Sequence, residues 1–532
     1  MNKKGNIRLV IITIAILLFG SMVYFGYKEL AYIQSVKDTL VTQLGQINET
    51  NTNIQENLNN LNSLGNLNQL EQLNKLSDER LYRSSVNDSL SNIDLQLSIN
   101  NYDVDVDMAY QEITTYAKSL HTDVGNKIQL KQPQDSNVYI NGVLYEGEFL
   151  LELDTISSYN VIEIYIEKGD DFRKILIPTL PEGFPRYEIG SYEMEDLSGH
   201  YYGDFAISGN SFIYKMDMSG NIVYYYNSKM EIGALHNFKK NMINDEVIYS
   251  YFEPVDSQNK LLNNGIIFGE VVLMDQSYEE INRLQMISTK KVPQAKYTEN
   301  HDYIILDKDH YVLIGEVFAP FYMEDGTVKQ MRCPYIQEIK QGKVIFEWLS
   351  KDYPIFDTSY SELGYNDEDY MHINSIAIDP KDNNFVISNR HQDSIVKINR
   401  KTGEIIWILG GTNDEFGLTE EQQFSRQHCA YFDFDGNLLF FNNDNNVGRT
   451  SIINFELNEE ELAIENYKKY EFGEKFSPYC GNVTQISDNL LIIGWGVTNG
   501  NSIASIYNME TGKIVNELLT DYMSTYRTFY FE

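Results

Sequence analysis

Apolar and polar residues alternate through most of this chain, but the alternation starts late. The first pattern is a block: Leu9–Tyr27 (LVIITIAILLFGSMVYFGY) is almost wholly apolar and follows Lys3, Lys4 and Arg8. At about 1.5 Å per residue it would reach about 28 Å, close to a bilayer core, so segment 1–28 reads as a basic tip and a transmembrane signal anchor. It has no A-x-A-like cleavage site of the kind that ends a secretory signal. Basic residues ahead of the block predict a cytoplasmic N-terminus and an extracellular remainder, that is, a single-pass protein of the cell membrane. Next, Ile33, Leu40, Ile47, Ile54 and Leu61 keep a seven-residue interval, with Leu44 and Leu58 between them and Asn51 as a polar interruption. This predicts a helical coiled-coil stalk over 29–125 that could form a homo-oligomer. A solitary helical spacer is the other reading, because Gly45 and Gly65 weaken the helix.

From Gln129 the period becomes two. The runs KIQLKQP, NVYINGVLY, EFLLELD, NVIEIYIEKG and RKILIPTL are separated by turn residues and predict a small β-sandwich over 126–186. Beyond residue 187 strand follows strand, and six units can be drawn. The first starts near Gly199 and the sixth near Cys480. The four between them open on His236, His301, His372 and His428, at intervals of 65, 71 and 56 residues. After each histidine come an alternating run, a polar turn and an apolar strand. Repetition on this scale indicates a propeller, in which equivalent positions of all blades face one axial channel. The expected fold is therefore mainly β: a six-bladed β-propeller over 187–532 with a small N-terminal β-sandwich, preceded by the transmembrane helix and the helical stalk.

Composition narrows the function. A formal net charge of −35 excludes a nucleic-acid binder, which needs a basic footprint, and docking on anionic lipid headgroups. Hydrophobic residues make up 42% and aromatic residues 13%, with 39 Tyr, so an aromatic-rich core and an aromatic-walled channel are within reach. The three cysteines, Cys333, Cys429 and Cys480, allow at most one disulfide and match no zinc-site spacing.

The richest segment is Met371–Gln392. His372 and Asn374 are two apart, which on a strand puts them on one side, and Arg390 ends the following strand. An imidazole, an amide and a guanidinium make a clamp for a tetrahedral oxyanion. His391 is out of phase with Arg390 and reads as structural. His428 follows the long Gly410–Arg426 connection, and among neighbouring imidazoles its neutral nitrogen could serve as a nucleophile. A metal-dependent hydrolase is a competing use of the histidines, although Arg390 beside them would repel a cation.

The segments MHINSIAID, SNRHQDSIVKINRKTGEIIWILGG and QHCAYFDFDGNLLFFNND resemble those of the bacterial aryl-sulfate sulfotransferases, most densely over 371–450. The resemblance implies a six-bladed propeller whose central site passes a sulfuryl group from a phenolic sulfate ester to an acceptor phenol. It implies a ping-pong route through a sulfohistidine, independent of 3′-phosphoadenylyl sulfate, with no cofactor and no metal. Carried over by motif, it gives His428 as nucleophile, and Arg390, Asn374, His372 and His301 as the groups that hold sulfate oxygens. His301 or His372 would also serve as the acid and base. Its implied partners are an aryl sulfate donor and a phenolic acceptor. Four points depart from the family: the anchor and stalk, Cys429 directly after the proposed nucleophile, the looser FNNDNNVGR stretch, and His236, which opens a blade with no sulfate-binding role to carry over. Fold alone leaves a second possibility, a non-catalytic adhesin or sensor on a stalk.

Overall fold

The structure is a computed structural model that describes separate strands between residues 96 and 180. From Phe184 it describes most of the chain to Glu532, short segments such as 256–264 and 357–368 excepted. Residues 1–95 lie outside the described residues.

Six antiparallel sheets follow one another in sequence. The second blade holds His236–Ile243, Glu246–Pro254, Phe268–Met274 and Glu280–Leu284. The third holds Tyr303–Asp307, His310–Tyr322, Val328–Lys340 and Lys343–Leu349. The fourth runs Ile373–Ile378, Phe385–Asn389, Ser394–Ile398 and Ile405–Gly410, and the fifth His428–Phe432, Leu438–Asn442, Ser451–Asn458 and Ala463–Glu471. In each the strand named first is innermost.

The first and sixth blades close the ring with exchanged strands. Thr528–Phe531 is the innermost strand of the first blade, paired with His200–Ile207. Tyr187–Ser191 is the outermost strand of the sixth, paired with Lys513–Thr520. The unit that starts near Gly199 therefore does not begin on its inner strand. That strand comes from the far end of the propeller sequence.

The blades are apolar on both faces because each is packed between two neighbours. In Leu438–Asn442, Leu438 and Phe440 join the seam toward the fourth blade, while Leu439 and Phe441 join the seam toward the sixth. Side chains alternate across a strand, so a run such as LLFF serves two cores at once. The seam between the first and sixth blades holds Phe205, Tyr214, Ile492 and Leu518, and that between the first and second holds Tyr202, Phe238, Tyr249 and Phe529.

The helical part of the expected fold is corrected. Among the described residues there is no α-helix, only short 3-10 turns such as Arg390–Gln392. Gln96–Ile99, Tyr102–Asp103, Thr114–Tyr116 and Leu120–His121, all assigned to the stalk, are strands. Gln96–Ile99 pairs antiparallel with Lys127–Lys131, and Thr114–Tyr116 runs parallel to Asp171–Leu180. The seven-residue spacing has lapsed before this stretch, so no continuous apolar stripe holds it helical. Among the described residues no helix is long and apolar enough to cross a membrane, so the single-pass anchor and the extracellular placement drawn from it are not supported. The anchor segment 1–28 and the heptad segment both lie outside the described residues. Between residues 96 and 180 the strands form two sheets, one of which has Asp171–Leu180, Val161–Lys168 and Asn137–Ile140 as neighbours.

Candidate active site

The heads of the inner strands are bent in a repeated way. His236, His372 and His428 each stand where the ladder slips by a residue: between His236 and Lys239, between Ile373 and Ser375, and between His428 and Tyr431. The backbone turns left-handed at Asn237, His372 and Cys429, with φ of 56°, 54° and 53°. Such bulges re-aim the side chain beside them. Cys429 thus has a structural reason: it fills the left-handed position of the bulge, with its thiol toward the Val483 carbonyl at 3.7 Å. All three cysteines are free thiols.

His428 is buried, and its Nδ1 lies 2.7 Å from Asn443 Oδ1 and 3.0 Å from the Arg426 carbonyl. The Asn443 amide nitrogen donates to the Ser477 carbonyl at 2.8 Å and the Cys480 carbonyl at 3.0 Å. Those bonds fix which end of the amide faces His428. Both neighbours of Nδ1 are acceptors, so Nδ1 carries the proton and Nε2 keeps its lone pair. Burial, with the Arg390 charge next, holds this imidazole well below its ordinary pKa.

His301 and His372 meet edge to face, ring centres 4.7 Å apart. His372 Nδ1 lies 2.7 Å from Asp369 Oδ2, and His301 Nδ1 contacts Glu299 Oε2. The two carboxyls differ. Burial, with the nearby Asp302 charge, pushes Glu299 well above the usual carboxylate range. Burial would do the same to Asp369, but the facing His372 and His391 and the Arg332 guanidinium reverse it and hold that carboxyl low. One imidazole is therefore backed by a carboxyl whose proton affinity is raised and the other by one whose proton affinity is lowered. Both imidazoles are themselves brought down to about 3, chiefly by burial. His391 donates from Nδ1 to the Asp369 carbonyl at 2.6 Å, and its ring is 4.7 Å from that of His372.

Arg390 opens the 3-10 turn after Phe385–Asn389, with its backbone N–H on the His372 carbonyl at 3.1 Å. Its charge bears on both His301 and His428, and its guanidinium carbon stands 5.3 Å from the centre of the Tyr479 ring. The chain as a whole is strongly acidic, yet Arg390 brings a positive charge to these imidazoles. Asn374 behaves differently from the simple alternation. The slip at Ile373 breaks the parity with His372, and its amide nitrogen donates to the Gln427 carbonyl at 2.7 Å. It braces the residue just before His428.

Several residues of this mouth have no counterpart in the motif reading. Tyr526 lies 4.7 Å from the His236 ring and 5.8 Å from that of His301, with a buried hydroxyl that makes no hydrogen bond among the described residues. His236 Nδ1 is 3.8 Å from Asp204, which also accepts the Tyr526 N–H at 2.6 Å. Beneath them Arg527 bonds the Asn374 carbonyl at 2.5 Å, Tyr431 Oη at 2.9 Å and Asp302 at 3.1 Å. Lys239 reaches the same carboxylate at 2.7 Å. Burial would raise Asp302, but these two cations hold it at about 2. The signal available for the carboxyls was short range: Glu299 stands two residues before His301 and Asp369 three before His372. Nothing local marks Tyr526 or Arg527, which arrive with the closing strand.

Among the described residues two clusters have metal-like donor sets. In the first, Asp369, His372 and His391, the Asp369 carboxylate already bonds His372 and has Arg332 3.9 Å away. The second, Asp379, Asp382 and Glu459, encloses the Lys397 ammonium at 2.8, 2.8 and 2.6 Å.

A propeller with imidazoles from adjacent blades and a guanidinium at one mouth of its channel has the frame of an oxyanion-handling protein. The family model for arylsulfotransferase (ASST) matches residues 200–527, and the chain belongs to that family. It is 26% identical over 191 residues to the arylsulfate sulfotransferase AssT of Escherichia coli O6:H1 (strain CFT073), a match covering 28% of this chain and 30% of that protein. The chain thus spans less than a third of the length of this relative. Slight likenesses to solved structures include Kluyveromyces lactis Hsv2 (10% identity, 61% of this chain and 99% of that one, TM-score 0.28). Another is the dihydro-heme d1 dehydrogenase NirN (11%, 64% and 76%, TM-score 0.30).

Proposed function

We propose that this protein moves a sulfuryl group from an aryl sulfate ester to a phenol in two steps, with His428 as the nucleophile and a sulfohistidine between them, independent of 3′-phosphoadenylyl sulfate. The observation that carries the reading is the lock on His428 by Asn443 and the Arg426 carbonyl, which leaves Nε2 bare. Family membership and the E. coli relative supply the substrate class.

In the first step the Nε2 lone pair attacks sulfur. The S–N bond forms as the S–O bond to the aryl group breaks, and phenolate leaves with the electron pair. Charge spreads over the equatorial sulfate oxygens, and the fixed Arg390 guanidinium offsets it without reorganising. His372 is the better proton carrier of the neighbouring pair, because Asp369, held low, stabilises its imidazolium whereas Glu299, pushed up, does less for His301. An anionic ester bound beside His372 raises its proton affinity. The proton passes to the departing phenolate and is regained from the acceptor phenol as that oxygen attacks the sulfohistidine. His301, next to His372, helps hold the sulfate oxygens, and Asn374 keeps the His428 strand in place.

The test is mass spectrometry of the purified protein after exposure to 4-nitrophenyl sulfate. The expected result is a sulfuryl group on His428, with neither adduct nor nitrophenol release from His428→Ala. Unchanged release from that variant would overturn the proposal.

A further inference from the structure

The channel has a second chamber. A pocket of about 490 Å³, open toward solvent, is lined by residues that lie further along the inner strands than the histidines, and all six blades contribute to its wall. The His428 mouth and this chamber are separated by the Arg527–Asp302–Lys239 network. Its size is that of a pocket for a small organic molecule.

Its walls are of two kinds. Tyr303, Phe432, Phe529 and Phe531 present rings, and Ile378 and Ala377 add aliphatic surface. Lys239 stands at the inner end. Two of its three N–H donors are used, on Asp302 at 2.7 Å and on the Tyr303 carbonyl at 3.3 Å. The third has no hydrogen-bonding acceptor among the described residues, and the ammonium lies 4.5 Å from the Tyr303 ring centre and 5.4 Å from that of Phe529. Thr484 lines the same chamber, and its buried hydroxyl makes no hydrogen bond among the described residues.

The charges at that end do not cancel: Lys239 and Arg527 share the single Asp302 carboxylate. Asp433 also lines the chamber, but its oxygens are taken up by the backbone N–H groups of Asp435 and Asn437 and by the Asn437 and Asn454 amides. An oxyanion is therefore favoured at the Lys239 end and disfavoured at the Asp433 end, which orients a ligand along the chamber.

We propose that this chamber binds a small aromatic anion, its ring against Phe529, Phe531 and Tyr303 and its oxyanion on Lys239 and Thr484. The site is distinct from the His428 mouth and does not depend on the reaction proposed there. A planar ring matches the aromatic walls by offset stacking, and a charge-assisted bond to the spare ammonium N–H supplies direction.

Benzoate is the probe, titrated into the purified full-length protein by calorimetry, with thermal melts to confirm that each variant is folded. Benzoate is expected to bind, and benzyl alcohol to bind about tenfold more weakly because it cannot make the charge-assisted bond. Ala377→Phe fills the chamber from its wall and should abolish binding. Lys239→Met should weaken it about tenfold, and if that variant fails to fold, Ala377→Phe decides. His428→Ala should bind benzoate like the parent. No binding to the folded parent, unchanged binding by folded Ala377→Phe, or loss of binding in His428→Ala would overturn the proposal. Because the readout is binding, these outcomes are separate from any failure of sulfuryl transfer.

Discussion

The rings of His301 and His372 cross edge to face at 76°, yet the carboxyl behind the first is pushed up and the carboxyl behind the second is held low. This asymmetry can be tested one carboxyl at a time.

Asp369→Asn removes the charge that stabilises a protonated His372 and lets the amide favour the wrong tautomer. Turnover of an aryl sulfate should fall by roughly 10²–10⁴-fold with little change in KM. Glu299→Gln replaces a carboxyl whose proton affinity is raised by its surroundings and should cost less than about tenfold. Equal losses would show that the two dyads are equivalent.

Asn443→Leu takes away the acceptor that pins the proton to Nδ1 of His428. The Ser477 and Cys480 carbonyls lose their donor as well. Sulfuryl loading of His428, followed by mass spectrometry after quenching, should slow by about 10²-fold while the melting temperature drops only a few degrees. Loading at the parental rate would mean that the Arg426 carbonyl alone suffices.

Acid should destabilise the propeller through its own site. His301 and His372 stay neutral in the fold down to about 3, whereas unfolded imidazoles protonate near 6.5. The unfolded state then binds more protons, so stability is fully present above about pH 6.5 and falls as pH drops toward 3, by up to ~1.4 kcal/mol per unit for each imidazole. Urea midpoints between pH 8 and 4 read this directly. Replacing His301 and His372 together with Gln should flatten the slope.

Arg527→Met strips Asp302 of one of its two cations in a fully buried setting. Breaking such a pair costs about 3–5 kcal/mol, far more than losing an exposed bridge such as Arg449–Glu474, worth under ~1 kcal/mol. Chemical denaturation of Arg527→Met and Arg449→Met side by side gives the comparison.

Gly494→Ala probes the ring closure. A Cβ there would sit 2.2 Å from Asn482 Oδ1 and 2.7 Å from the Thr528 backbone nitrogen. Asn482 holds the closing strand by accepting the Thr528 N–H at 2.9 Å and donating to its carbonyl at 2.8 Å. Pushing that side chain aside should lower stability by about 1–3 kcal/mol and make Thr528–Phe531 the first segment to exchange its amide protons.

Much of the candidate site was readable because the physics that marks it is local. A histidine ahead of an alternating run repeats four times; the rings of His301 and His372 lie 4.7 Å apart, and the Arg390 charge bears on His301 and His428. Parity failed at Asn374, since a bulge inserts a residue that no hydropathy pattern announces. The carboxyl partners two and three residues before His301 and His372 could have been found by asking what orients each imidazole. Tyr526 and Arg527 could not, because only the pairing of Thr528–Phe531 with His200–Ile207 carries them to the channel. The heptad spacing does not reach Gln96–Ile99, where pairing with Lys127–Lys131 satisfies the backbone instead.

Strand exchange at the closure also sets an order of events in synthesis. A nascent chain that has emerged only as far as Thr520 can lay down the sixth sheet, but its first sheet still has a bare inner edge, and Asp302 still lacks a guanidinium. Both defects are repaired by the same few residues. The channel histidines therefore gain the Arg527–Asp302 floor only when translation has passed Phe531, and a chain stalled earlier would leave the inner edge of the first sheet bare.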